Sequence, residues 1–168
     1  MVFAKRGDTV VIVRLLAAAS ICFCLAPAAM AGPHEDGMAA YEAGDFAAAL
    51  QHMRPLAEAG DARAQYQLGA MHGQGEGVTQ SDAEWVAWLQ RAADGGYAPA
   101  QTEIGLILVD GVHLPKNWPL AHMYFNLAVE NGDPEAIAVN AWLRSQLTPE
   151  QEAEAARLKG AWLNEHGN

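Results

Sequence analysis

Cysteine, basic side chains and aromatic rings are all scarce in this 168-residue chain. Its two cysteines, Cys22 and Cys24, fall within the first thirty-one residues, so everything beyond them lacks a thiol with which to close a disulfide or ligate a metal. Lys and Arg number 10 against 20 Asp and Glu. The resulting charge of −10 repels phosphate backbones and anionic lipid, which argues against a nucleic-acid or membrane-surface partner. Aromatic residues make up only 8% of the chain, whereas alanine occurs 34 times, a composition suited to close helix packing and nearly incompatible with an all-β fold. The length allows one ordinary domain.

The apolar runs are short as well. Lys5, Arg6 and Arg14 precede an apolar stretch over residues 15–26, and Ala29-Met30-Ala31 follows it. This is the basic, apolar and small-residue pattern of a secretory signal peptide, with cleavage expected after Ala31. The stretch is too short to span a bilayer comfortably and no second one follows, so no stable membrane insertion is expected after cleavage. Ile21 and Phe23 stand where a bacterial lipoprotein signal needs a small residue before its cysteine. Removal of the leader would leave 137 residues with seven basic and nineteen acidic side chains, a charge near −12. The expected location is therefore the periplasm or the exterior of a bacterium.

What the remaining chain does have is self-similarity. Gly60, Gly96 and Gly132 are spaced by 36 residues, as are Ala64, Ala100 and Ala136. In the same register Gln65 recurs as Gln101, Leu68-Gly69 as Ile104-Gly105, Gly75 as Gly111, Trp88 as Tyr124, and Ala92 as Ala128. A period of this size in a helix-forming composition predicts an α-solenoid, an all-α stack of antiparallel helix pairs that each need a neighbour to bury their apolar face.

Punctuation places the helices. The first of the second unit is expected over residues 62–72, with Ala64, Leu68 and Met71 on one face, ended by the glycines at 73, 75 and 77. Ser81 is a good N-cap for the second, running to Asp94 with Trp85, Trp88, Leu89 and Ala92 on its buried stripe. The third unit repeats this over residues 98–109 and 117–130. Before them, residues 38–43 and 46–59 make a shortened first unit. After them, residues 134–144 open a fourth, and Thr148-Pro149-Glu150-Gln151 is a capping box with Pro at the first helical position, announcing a charged C-terminal capping helix. About four pairs result, with units near 37–61, 62–97, 98–133 and 134–164. Trp85 stands in register with Ala49 and Ala121, so the gap there must widen or the indole must turn outward.

These residues resemble the Sel1-like repeat, a relative of the tetratricopeptide repeat. The resemblance rests on Ala64-Gln65-x-x-Leu68-Gly69, on Gly75-x-Gly77-Val78, and on Trp88-x-x-x-Ala92-Ala93-x-x-Gly96. It rests also on the stretch from Ala121 to Ala128 followed by Asn131-Gly132-Asp133-Pro134, and it covers roughly residues 41–162. It implies a non-catalytic protein–protein interaction scaffold of the bacterial cell envelope. Some cysteine-rich relatives suggest a cell-wall hydrolase, acting on peptidoglycan or a β-lactam, as the alternative.

The residues give that alternative little. A penicillin-recognising S-x-x-K motif needs lysine three residues after serine, but Ser81 and Ser145 are followed there by Glu84 and Thr148. The glycines at 73, 75 and 77 have neither the preceding strand nor the Lys-Ser/Thr of a phosphate loop. No two of the six histidines are three or four residues apart, so neither a metal nor any cofactor is expected. Trp88, Tyr124, Phe125 and Trp142 sit at core spacing, whereas Trp118 is expected to be exposed and available as an anchor. On the first helices, the face opposite the core carries Arg63, Tyr66, Gln67 and Ala70, then Thr102, Glu103 and Leu106, then Ala138, Val139 and again Trp142. In related solenoids that face lines the concave groove. Arg63, Tyr66, Gln67, Thr102, Glu103 and Trp118 are therefore the candidate contacts for a protein or peptide partner, neutral or basic given the acidic surface.

Overall fold

A computed structural model describes residues 32–166; the expected signal peptide lies outside them. Eight helices follow one another: α1 (Pro33–Glu42), α2 (Phe46–Glu58), α3 (Ala62–Gln74), α4 (Asp82–Asp94), α5 (Ala98–Asp110), α6 (Trp118–Glu130), α7 (Pro134–Arg144) and α8 (Pro149–His166). No strand occurs among the described residues, and none of these helices is long and apolar enough to cross a membrane.

Short polar side chains start the helices. Asp45, Asp61, Ser81 and Asn117 each accept a bond from the backbone N–H three residues on, at 2.8 to 3.2 Å. Each such cap is worth about 1 kcal/mol. At α8 the capping box closes both ways, Gln151 N–H donating to Thr148 Oγ1 and Thr148 N–H to Gln151 Oε1. Helices α3 and α5 end at Gly75 and Gly111, whose φ of 75° and 76° only glycine adopts without strain. Helix α1 starts five residues before the expected Met38, with Pro33 in its first turn and Glu35 and Asp36 favourably placed at its N-terminus. Gly37 is a contact point inside it, since a Cβ there would come within 2.8 Å of Met53 on α2.

Helices α1 and α2, α3 and α4, and α5 and α6 form packed pairs, and each pair stacks on the next. Glycines at 36-residue spacing set how closely the two helices of a pair approach. A Cβ on Gly69 would lie 3.2 Å from the Trp88 Cβ, and one on Gly105 would lie 2.4 Å from the Phe125 ring. The main core gathers Leu89, Ile104, Leu108, Met123, Phe125, Leu127 and Leu143, and a smaller one gathers Met53, Ala57, Ala64 and Leu68. Burying each large side chain stabilises the fold by about 1.5–3 kcal/mol.

A repeated polar contact ties each unit to the one before. Gln65 Nε2 donates to the Ala57 carbonyl and Gln101 Nε2 to the Ala93 carbonyl, each at 3.0 Å. Both glutamines are buried, and the Gln101 Oε1 accepts from Asn131. The recurring glutamine is thus a clamp on the last turn of the preceding helix, adding a second hydrogen bond to a carbonyl that already accepts from the Gly60 or Gly96 N–H.

The fourth unit breaks the register. Ile137 replaces the clamp glutamine and is 57% exposed, while Asn140 replaces the core Leu68 and Ile104. Helix α8 packs on α6 and does not pair with α7. Trp142, at core spacing but also on the face opposite the core, is 52% exposed, because the element that would cover its face of α7 lies elsewhere. Trp118 departs in the other direction. It is half-buried against the main core with its indole N–H sequestered and unpaired, so its place at a loop–helix junction did not expose it. Trp85 is half-buried, its indole packed on Gly73, where a Cβ would approach to 3.2 Å; the missing side chain makes room for the ring.

Candidate functional site

Helix α3 must reverse into α4 through a loop, and the return sets the first turn of α4 beside Gly73. That turn carries Asp82 and Trp85. Glu103 of α5 and Tyr66 of α3 approach from the adjoining helices, and His113 from the loop that links α5 to α6. Together with Ala70 and Gln74 they enclose a cavity of about 330 Å³. Trp85 and His113 meet edge to face with ring centroids 5.0 Å apart, and the His113 Nδ1 lies 3.8 Å from the Asp82 carboxylate. Tyr66 is braced by Tyr97, at 5.2 Å between centroids.

The cavity continues along α5. A second opening of about 620 Å³ shares Tyr66 and Glu103 with the first and adds Pro99, Thr102, Leu106, Asp133, Pro134 and Glu135. Across the two, Asp82, Glu103, Asp133 and Glu135 supply carboxylates, and no Lys or Arg lines either. Glu103 takes part in none of the ion pairs among the described residues. Burial pushes its carboxyl above the usual range, against the opposing influence of the Tyr66 hydroxyl and the Trp85 indole, which both face it. Burial first, and then the Glu103 charge, push the Tyr66 hydroxyl up, so it stays a neutral donor.

The candidate contacts read from the sequence divide accordingly. Tyr66 and Glu103 come together where the two openings meet. Thr102 lines the second, but it is 6% exposed and its hydroxyl donates to Asp133, so the side chain is spent within the fold. Arg63 is exposed outside both openings, Gln67 is half-buried facing Tyr41, and Trp118 is half-buried against the main core, outside both openings. Sequence reasoning missed Asp82, Trp85 and His113. The signal available was Trp85 standing where other units carry alanine, opposite a glycine one turn beyond Gly69.

Another opening, of about 630 Å³, lies between α7 and α8 over α6. In its floor the His122 ring Nδ1 is 2.6 Å from the Asn140 Oδ1, and Asn140 donates to Asn126 at 2.8 Å. Burial holds His122 below its ordinary pKa. The rim carries both signs already paired, Lys159 with Glu130 and Arg144 with Glu152 at 3.1 Å, so it has no net preference for a charged ligand.

Neither of the two serines among the described residues lies in these openings. The Ser81 hydroxyl caps α4, and that of Ser145 donates to the Trp142 carbonyl at 2.7 Å.

Residues 62–97 and 98–133 each match the family model of the Sel1 repeat. Among solved structures, a protective antigen present in uropathogenic Escherichia coli strains, displaying an SLR fold, superposes with a TM-score of 0.70 at 22% identity over 80% of this chain. The present chain spans only 30% of that protein. A Sel1 repeat protein from Oxalobacter formigenes superposes with a TM-score of 0.56 at 28% identity, covering 69% of this chain and 51% of its own. No curated protein matches the chain.

Proposed function

We propose that this chain, which carries two Sel1 repeats in an all-helical solenoid, is a non-catalytic scaffold holding a protein or peptide partner, neutral or basic, in the groove along α3 and α5. Repeats of this kind generally serve protein interaction and are typically non-catalytic. The observation that carries the reading is the continuous groove in which Tyr66 and Glu103 bridge two openings lined by four carboxylates and no Lys or Arg. Complementary charge steers a basic partner toward such a surface and sets its orientation. The leader pattern over residues 1–31 supports work in the bacterial envelope, periplasmic or secreted. A serine-based hydrolase gains no support, because neither Ser81 nor Ser145 lines the groove.

Capture from an envelope fraction tests the scaffold directly. A stoichiometric partner is expected, lost on Tyr66→Ala or Glu103→Lys. Turnover of a cell-wall substrate by the purified protein, abolished by changing one Ser, Glu or His, would overturn the reading. N-terminal sequencing of the exported protein is expected to begin at Gly32, and retention of Met1 would refute the location.

A further inference from the structure

The cavity at the α3–α4–α5 junction differs from an ordinary acidic surface in three respects. It is concave and walled by two aromatic side chains, Tyr66 and Trp85. Its carboxylate, Glu103, is half-buried and lacks a cation among the described residues. The other carboxylate, Asp82, stands at the mouth beside His113, so it adds negative potential without closing the entrance. A partly desolvated carboxylate attracts a cation more strongly than one in open water, and aromatic faces favour cations over neutral groups.

We infer that this cavity is the anchor pocket for a single arginine side chain of the partner, its guanidinium paired with Glu103 and lying against Tyr66 and Trp85. The inference rests on the scaffold reading and gives its partner a chemical signature. A volume near 330 Å³ is at the small end of ligand cavities and suits one long side chain. Arginine fits better than lysine. A carboxylate has about four acceptor sites, and the two donors that face Glu103, the Tyr66 hydroxyl and the Trp85 indole N–H, leave room for the forked pair that a guanidinium presents. The planar cation also stacks on rings, whereas an ammonium is compact and strongly hydrated. Beyond the pocket, Leu106, 43% exposed, and the carboxylates of Asp133 and Glu135 continue the groove for the flanking peptide.

The test uses the protein without its leader and N-acetyl-arginine methylamide as probe, followed by amide and indole chemical shifts. Shifts confined to Tyr66, Ala70, Gln74, Trp85, Glu103 and His113 are expected. The lysine analogue should bind more weakly, and the neutral citrulline analogue not at all. Glu103→Gln, which keeps the shape, should weaken binding about tenfold, and Trp85→Phe should weaken it less. Glu58→Gln, removing an exposed acid on α2, should leave it unchanged. Far-UV circular dichroism of each variant establishes that the fold persists. Equal binding of citrulline, shifts scattered over the acidic surface, or full binding by a folded Glu103→Gln protein would overturn the inference. Partner capture separates this failure from that of the scaffold. A partner lost on Tyr66→Ala but retained by Glu103→Gln sinks the arginine pocket alone. Probe binding at the pocket without any captured partner sinks the scaffold alone.

Discussion

Glu103 carries a charge that its surroundings disfavour, and this has opposite effects on binding and on stability. Its carboxyl is raised by burial, so the folded protein holds the proton more tightly than the unfolded chain does. Such a group favours the fold while protonated, and that contribution is lost as pH rises from the ordinary carboxylate range through the raised value. Glu103→Gln should therefore increase the melting temperature at neutral pH, with the gain shrinking on acidification, in thermal denaturation followed across that range. Arginine binding should change the other way, weakening on acidification from a pH above the usual carboxylate range. The clamp glutamines give a second residue-scale prediction. Gln101 is fully buried and its amide serves both the Ala93 carbonyl and Asn131, so Gln101→Leu should cost about 1–3 kcal/mol in urea denaturation. Gln65→Leu should cost less, because Gln65 makes one such bond where Gln101 makes two, and the Ala57 carbonyl keeps the Gly60 N–H as a donor.

At the scale of the helices, Gly105 and Asp94 control how neighbours meet. Gly105→Ala forces a methyl into the Phe125 ring and should destabilise the fold by about 1–3 kcal/mol, measurable by chemical denaturation. Asp94 closes α4 and takes hydrogen bonds from Gln90, from Tyr124 on α6 and from the Trp162 indole on α8. Burial, reinforced by Asp94, pushes the Tyr124 hydroxyl up to about 12, so it remains a donor there. Asp94→Ala should speed amide exchange in α8 while leaving α3 protected, and Asp94→Asn should restore much of the protection. The helices themselves were legible because local chemistry decides where they start and stop: Ser81, Asn117 and the Thr148–Gln151 box cap them as expected. The start of α1 is expected too late, at residue 38; Gly37, unfavourable in a helix on propensity alone, lies inside it in contact with Met53. Trp142 stands both at core spacing and on the face opposite the core, and the structure leaves it exposed. Periodicity defines which side of a helix is apolar, and only the packing of a distant element such as α8 decides whether that side is covered. The pocket was half legible: Tyr66 and Glu103 lie on the helix face opposite the core and Trp85 stands where other units carry alanine, whereas His113 reaches it from a loop that no spacing places.

For the whole molecule, charge and connectivity matter more than any one contact. With a formal charge of −10 on the chain and carboxylates along the groove, affinity for a basic partner should fall as ionic strength rises, since the screening length shrinks from about 10 Å at 0.1 M to about 3 Å at 1 M salt. Titrations across that range check it, and a flat salt dependence would point to apolar anchoring through Leu106. Stability in a stacked repeat is carried by nearest neighbours, and the clamps give that neighbourliness a direction. Gln65 reaches back to Ala57 and Gln101 back to Ala93, so the later segment always completes the earlier one. A chain emerging N-terminus first therefore closes like a zip, the Ala57 and Ala93 carbonyls each gaining a side-chain donor only when the next helix winds up behind them. At Ile137 the series of teeth ends, and the next fastening is of another kind: α8 doubles back over α6, a clasp that shuts only once the helix after α7 has emerged.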